Sequence, residues 1–291
     1  MNLVAHSSKK RGGTGSRSRV SPARILSNIG LTFAIVALML PFVLTLSVAF
    51  RPAKDVASNA IAIPTHLTFS NITDTFTKLD YGISVLNTVI LVLGSTALTI
   101  VIGAMASYPL ARISRPWTSA VYRSFLLGTS IPIFVLLAPL YLLIRDMGLL
   151  NTHLGVVFIY TALNLPLAIF FFTSFFRQIP LELEEAAALD GAGPLRSFFS
   201  ILLPLLRPVT ATLATFMTLN IWNDLLIPFV FLQDTGSRTV MANAYALVDP
   251  KSVEPTVLFP AALLGVAPLL VIFLLLQRNV VEGLTSGAVK A

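Results

Sequence analysis

The sequence predicts an all-α integral membrane protein with six transmembrane helices, and three observations carry this reading. Only 11% of the 291 residues are charged, 55% are hydrophobic, and mean hydropathy is +0.84. Soluble domains use about 25% charged residues, so this chain cannot cover a water-facing surface. A soluble enzyme, a disordered chain and a nucleic-acid module are excluded on that ground. Second, uncharged apolar runs recur at the length of a bilayer crossing, about 20 residues. Third, the basic residues divide unevenly between alternate connecting segments.

The spans follow in order. Residues 25–50 carry no charge and form the first. That run exceeds the ~7–15-residue apolar core of a signal peptide, so it reads as a retained anchor. Residues 81–111 are uncharged and hold the second span near 85–108. Residues 124–144 and 154–176 form the third and fourth. The fifth covers 208–232, interrupted only by Asp224, and the sixth covers 257–277. Unpaired backbone groups are not tolerated in lipid, so runs this long and apolar are helices. Barrel strands would be short and would alternate polar with apolar. Pro41, Pro132, Pro139, Pro166, Pro228 and Pro268 lie inside these runs. Each removes a helix hydrogen bond and favours a kink. Gly103 and Ser107 make a small-xxx-small pair suited to close helix approach.

With the N-terminus inside, fourteen basic residues face the cytoplasm: Lys9, Lys10, Arg11, Arg17, Arg19, Arg24, Arg112, Arg115, Arg123, Arg177, Arg196, Arg207, Arg278 and Lys290. Six face outward: Arg51, Lys54, Lys78, Arg145, Arg238 and Lys251. Positive charge favours the cytoplasmic side, so both termini are expected inside. The formal charge of +7 is thereby a topology signal rather than a nucleic-acid footprint. Residues 1–24, rich in Ser, Gly and Arg, read as a disordered cytoplasmic tail ahead of a permease domain at 25–291. Its basic cluster can touch anionic lipid at about 1 kcal/mol per charge.

The cytoplasmic segment 177–208 is too structured for a simple linker. Pro180 suits a first helical turn. Glu182, Glu184 and Glu185 crowd that turn, where the helix dipole favours acids. Leu183 and Ala186 to Leu189 propagate a helix, and Gly191 can cap it in the left-handed conformation. A second helix is expected from Pro194 through Phe198, Phe199 and Ile201. The first helix can dock in a partner's groove or rest on lipid as an amphipathic connector.

Glu185-Ala186-Ala187, Asp190-Gly191-Ala192, Ile201 and Leu203-Pro204 stand at the spacing of the EAA loop. This resembles the permease subunits of binding-protein-dependent ABC importers. Pro41 to Arg51, Leu149-Leu150-Asn151-Thr152, Trp222-Asn223-Asp224 and the ending Gly287-Ala288-Val289-Lys290 extend the resemblance to the carbohydrate-type, maltose-type members. The stretch 251–260, with Pro255 and Phe259-Pro260, and the terminal Ala291 depart from that pattern.

The resemblance implies a type I permease fold in a bacterial inner membrane. It implies a second homologous permease, two ATPase subunits and an external solute-binding protein as partners, and a sugar as substrate. ATP and Mg would be held by the ATPase subunits, with no cofactor on this chain. The coupling residues would be Glu184, Glu185, Ala186, Ala187, Asp190, Gly191 and Ala192. Glu185 would meet the ATPase, the alanines would permit close approach, and Gly191 would set the turn.

Gly12-Gly13-Thr14-Gly15 lacks the Gly-Lys-Ser/Thr of a phosphate loop, and His6, His66 and His153 are scattered without metal-ligand spacing. Cysteine is absent. Asp224 is the one ionisable residue expected within a span, where such groups face a cavity or a partner. Trp222, Asn223 and Asp224 offer an aromatic face, an amide and a carboxylate to a sugar. Alternatively, Asp224 pairs with another subunit or caps a break before Pro228. Rival functions are a permease for glycerol phosphate or another small solute, a stand-alone carrier or channel, and a membrane enzyme. A carrier leaves the EAA segment unexplained, and no convergent polar set supports an enzyme.

Overall fold

A computed structural model describes residues 22–59, 66–248 and 254–288. Most of the tail 1–24, with His6 and the glycine-rich 12–15, lies outside the described residues, as do Lys251, Val289, Lys290 and Ala291. In chain order the helices are α1 (Pro22–Ala49), α2 (Ala53–Ser58), α3 (Ser70–Lys78), α4 (Tyr81–Arg112), α5 (Pro116–Gly128), α6 (Ile133–Asp146) and α7 (His153–Phe176). They continue with α8 (Glu182–Leu189), α9 (Pro194–Ser197), a π-turn (Phe198–Leu202), α10 (Leu203–Leu205), α11 (Arg207–Asn223) and α12 (Leu226–Phe231). A 3₁₀ turn (Thr235–Ser237), α13 (Val240–Ala246) and α14 (Pro255–Ala288) complete the order. No strand occurs among the described residues.

The chain divides into two compact units, the first ending at Leu44. This first unit is most of α1, whose side chains are exposed from Ser27 to Val43. An apolar helix exposed all round is suited to lipid. The second unit, from Thr45, holds the helices from α2 onward.

Four helical stretches are long and apolar enough to cross a bilayer alone: Ser27–Ala49, Tyr81–Arg112, His153–Phe176 and Pro255–Ile272. Two bent pairs make six if each counts as one span: α5 with α6, 103° apart, and Pro194–Leu205 with α11, 68° apart. The all-helical membrane architecture matches the expectation, but two expected spans are not continuous. Residues 124–144 fall across the α5–α6 bend. Pro132 there lies in the extended region at φ −64°, ψ 134°. It lacks an N–H and disfavours helical geometry at Ile131. Thr129 closes α5 by donating from Oγ1 to the Leu126 carbonyl at 2.7 Å.

The expected fifth span at 208–232 also breaks, because α11 stops at Asn223 and Asp224 is extended at φ −73°, ψ 126°. A proline ring clashes with the carbonyl four residues back in a continuing helix. For Pro228 that carbonyl belongs to Asp224, so the break falls where the sterics put it. The second helix expected in the 177–208 segment differs as well. Expected to run from Pro194 through Ile201, it opens into the π-turn, where the Leu203 N–H reaches the Phe198 carbonyl five residues back. Pro204 follows and cannot sit beneath the Ser200 carbonyl.

The centre of the second unit is the packing of α4 against α7. In lipid, apolar contact gains little from leaving the solvent, so helices associate through close packing and polar contacts. A methyl group at Gly103 would lie 2.9 Å from the Ala168 Cβ, so only glycine permits this approach without a shift. One turn on, Ser107 Oγ donates to the Ile169 carbonyl at 3.3 Å. The expected small-residue pair is therefore a helix crossing. Around it Leu91, Ile159, Phe172, Phe176, Leu213 and Met217 are fully buried.

Candidate functional site

Two regions of the second unit carry concentrated polar chemistry. The first is the short helix α8, in the segment expected on the cytoplasmic side. Its cap position is Leu181, so Pro180 precedes the helix instead of sitting in its first turn. Glu182, Glu184 and Glu185 do occupy that turn. Gly191 adopts φ +80°, and the Gly191 and Ala192 N–H groups donate to the Ala188 and Ala187 carbonyls at 3.1 and 2.9 Å. This double bond pattern is a Schellman cap, which requires a residue at positive φ.

The coupling residues expected from the sequence divide by face. Glu185, Ala186, Asp190 and Gly191 are exposed, and Leu189 is 89% exposed. Ala187 is buried against the protein itself, so it is Ala186 that faces outward; Ala192 is half-buried. Glu184 turns inward. Its Oε1 accepts from Arg112 Nε at 2.7 Å and Nη2 at 2.6 Å, and its Oε2 accepts from Tyr108 at 2.6 Å. Arg112 also donates to the Ile179 carbonyl at 3.0 Å. Tyr108 stands edge-on to Phe176 and Phe198, both centroids 5.7 Å away.

The second region is a cleft of about 560 Å³ between α7 and α11, lined also by Ile133 and by Leu226 and Ile227 of α12. Its polar lining is Tyr160, Asn164, Asn220, Asn223 and Asp224. Asp224 Oδ2 accepts from the Tyr160 hydroxyl and Oδ1 from the Leu226 N–H, each at 2.8 Å. One carboxylate thus caps α12 and fastens it to α7. The amides of Asn164, Asn220 and Asn223 each donate to the carbonyl four residues back, at 2.8 Å. These bonds fix each amide orientation, and each carboxamide oxygen retains acceptor capacity.

Of the three residues expected on a path, Asn223 and Asp224 line this cleft and Trp222 does not. Trp222 is 1% exposed and donates from Nε1 to the Gly265 carbonyl of α14 at 3.0 Å. It is a core anchor, placed on the opposite side of α11 by the 100° step per residue. Tyr160, Asn164 and Asn220 were missed. Asn220 and Asn223 are three apart, and that helical spacing is a legible signal. Tyr160 and Asn164 carry the matching four-residue spacing on α7, but nothing local pairs the two helices. Beyond the cleft, α12 is pinned by Asn151: its N–H donates to the Phe231 carbonyl at 3.0 Å, and its Oδ1 accepts from the Gln233 N–H at 2.6 Å.

Residues 99–286 match the family model described as the binding-protein-dependent transport system inner membrane component. The chain belongs to this family. As a permease of this kind it is a multi-pass membrane protein. It is 36% identical to the melibiose/raffinose/stachyose import permease protein MelC of Bacillus subtilis (strain 168), over 94% of this chain and 99% of that one. The diacetylchitobiose uptake system permease protein NgcG of Streptomyces coelicolor is 34% identical, over 87% of this chain and 84% of its own. The trehalose transport system permease protein SugB of Mycobacterium tuberculosis is also 34% identical, over 87% of this chain and 92% of its own. Among solved structures, a chain of a bacterial ABC transporter involved in the import of the acidic polysaccharide alginate superposes with a TM-score of 0.76, covering 89% of this permease and 98% of that chain at 18% identity. At that identity the likeness establishes the fold, which is that of an ABC importer permease.

Proposed function

We propose that this permease is the membrane-spanning subunit for import of a neutral sugar or oligosaccharide, paired with a second permease and supplied by an external solute-binding protein. ATP, with its Mg²⁺, is bound and hydrolysed by two separate subunits, and α8 is the surface on which one of them docks. This chain itself performs no catalysis and holds no cofactor. Its termini lie in the cytoplasm, as the distribution of basic residues indicates.

The observation that carries the reading is the exposed face of α8. A short capped helix presents Glu185, Ala186 and a fully projecting Leu189 outward. Small, apolar and acidic groups on one face are what a helix needs to enter a partner's groove and meet its basic rim. The cleft supports the substrate class. Amides, a tyrosine and a carboxylate suit hydroxyl groups, and among the described residues the lining includes no lysine or arginine. Glycerol phosphate or another anion would need such a cation, so the sugar reading is preferred to that alternative. The relatives named for import of melibiose, diacetylchitobiose and trehalose point the same way.

The test is purification in mild detergent from the native host, with mass spectrometry of what accompanies the chain. An ATPase and a second permease are expected, and proteoliposomes of that complex with its solute-binding protein should accumulate labelled raffinose, trehalose or diacetylchitobiose only with internal ATP. Recovery of a monodisperse chain alone, or accumulation without ATP, would contradict the proposal.

A further inference from the structure

The acids at the start of α8 are chemically alike and adjacent, yet they have opposite surroundings. Glu185 is exposed. Glu184 is turned into the protein, with side-chain exposures of 16% for it and 13% for Arg112. Both of its oxygens are occupied from α4, one by the Arg112 guanidinium and one by the Tyr108 hydroxyl. Arg112 holds the approach to α8 as well, through the Ile179 carbonyl. Tyr108 cannot swing away freely, because its ring is wedged between Phe176 at the end of α7 and Phe198 in the π-turn. A partly buried, charge-assisted grip of this kind is strong and geometrically specific.

We propose that Glu184 is a positioning residue, not a docking residue: with Arg112 and Tyr108 it clamps α8 onto the cytoplasmic end of α4. The neighbouring Glu185 stays exposed and available to a partner, as does Glu182. This rests on the reading of α8 as the docking helix for its consequence, but the clamp itself is a property of this chain. An eight-residue helix is too short to hold its place unaided. Few other groups fasten it: Ala187 is its one buried residue. Besides the backbone that joins α8 directly to α7, three side chains tie α8 to α4, which in turn crosses α7 closely at Gly103 and Ala168.

The experiment is hydrogen exchange of the full chain in lipid nanodiscs, reading the amides of residues 182–189. Alanine is a good helix former, so Glu184→Ala and Glu185→Ala leave the propensity of α8 intact. Loss of a hydrogen-bonded charge is worth about tenfold or more in the opening equilibrium. Glu184→Ala should raise exchange by that factor, and Glu185→Ala should leave it within about twofold. The exchanged pair Arg112→Glu with Glu184→Arg should restore protection lost in either single reversal. Equal exchange in Glu184→Ala and wild type, equal effects of the two alanine variants, or no recovery in the exchanged pair would each overturn the clamp. ATPase recovered with the wild-type chain is scored in parallel. Its absence would sink the docking reading of α8 while the exchange result still decides the clamp.

Discussion

Glu184 and Asp224 are both carboxylates gripped by a tyrosine from a neighbouring helix, at 2.6 and 2.8 Å. They differ in what completes the grip. Glu184, at the edge of the apolar span region, has a guanidinium. Asp224, inside the apolar span region, has one backbone N–H and the tyrosine hydroxyl, both neutral donors. At the edge a cation is affordable because water and headgroups are close. Inside the span region a second charge is expensive, so the carboxylate is held by dipoles. The lesson is functional. The edge site is closed on itself and suited to transmit force. The inner site leaves one acceptor position on each Asp224 oxygen, beside three oriented carboxamides and an open cleft.

Variants can break that contrast. The largest effect on transport is expected for Asp224→Ala, which frees α12 from α7 and removes acceptors from the cleft. Uptake of labelled raffinose by the reconstituted complex should fall about tenfold or more, since removal of a hydrogen-bonded charge costs about 1.5–3 kcal/mol. Uptake equal to wild type would remove the cleft from the path. Smaller and more pointed is a pair of single-oxygen deletions, compared by thermal unfolding in detergent. Tyr160→Phe should be the more destabilising, because Asp224 then keeps only one backbone donor. Tyr108→Phe should be milder, about 1 kcal/mol, because Arg112 still holds Glu184. The reverse order would show that the guanidinium contributes less than its geometry suggests.

Much of the molecule was legible in the sequence because its signals are local. The uncharged runs, the acidic start of α8, Gly191 as its cap and the Gly103–Ser107 crossing each lie within a few residues of one another. The breaks were harder, since proline carries two meanings inside an apolar run. Pro139 and Pro166 sit within continuous helices, whereas Pro132 and Pro228 adjoin breaks. Neighbouring helices decide which occurs, by satisfying the freed carbonyl or not. The pairings were not legible at all: 72 residues separate Arg112 from Glu184 and 64 separate Tyr160 from Asp224. Trp222 misled because it adjoins two lining residues in the chain while pointing to the other side of the helix.

One paired measurement separates docking from passage. Complexes carrying Glu185→Lys or Asp224→Ala are purified alongside wild type, scoring the ATPase retained and then ATP-driven raffinose uptake per complex. If α8 docks as proposed, Glu185→Lys should lose most of its ATPase, because a lysine would be repelled where the proposed docking needs an acid. Asp224→Ala should retain ATPase at the wild-type level and lose uptake. Equal ATPase loss in both variants, or full uptake in either, would contradict the account.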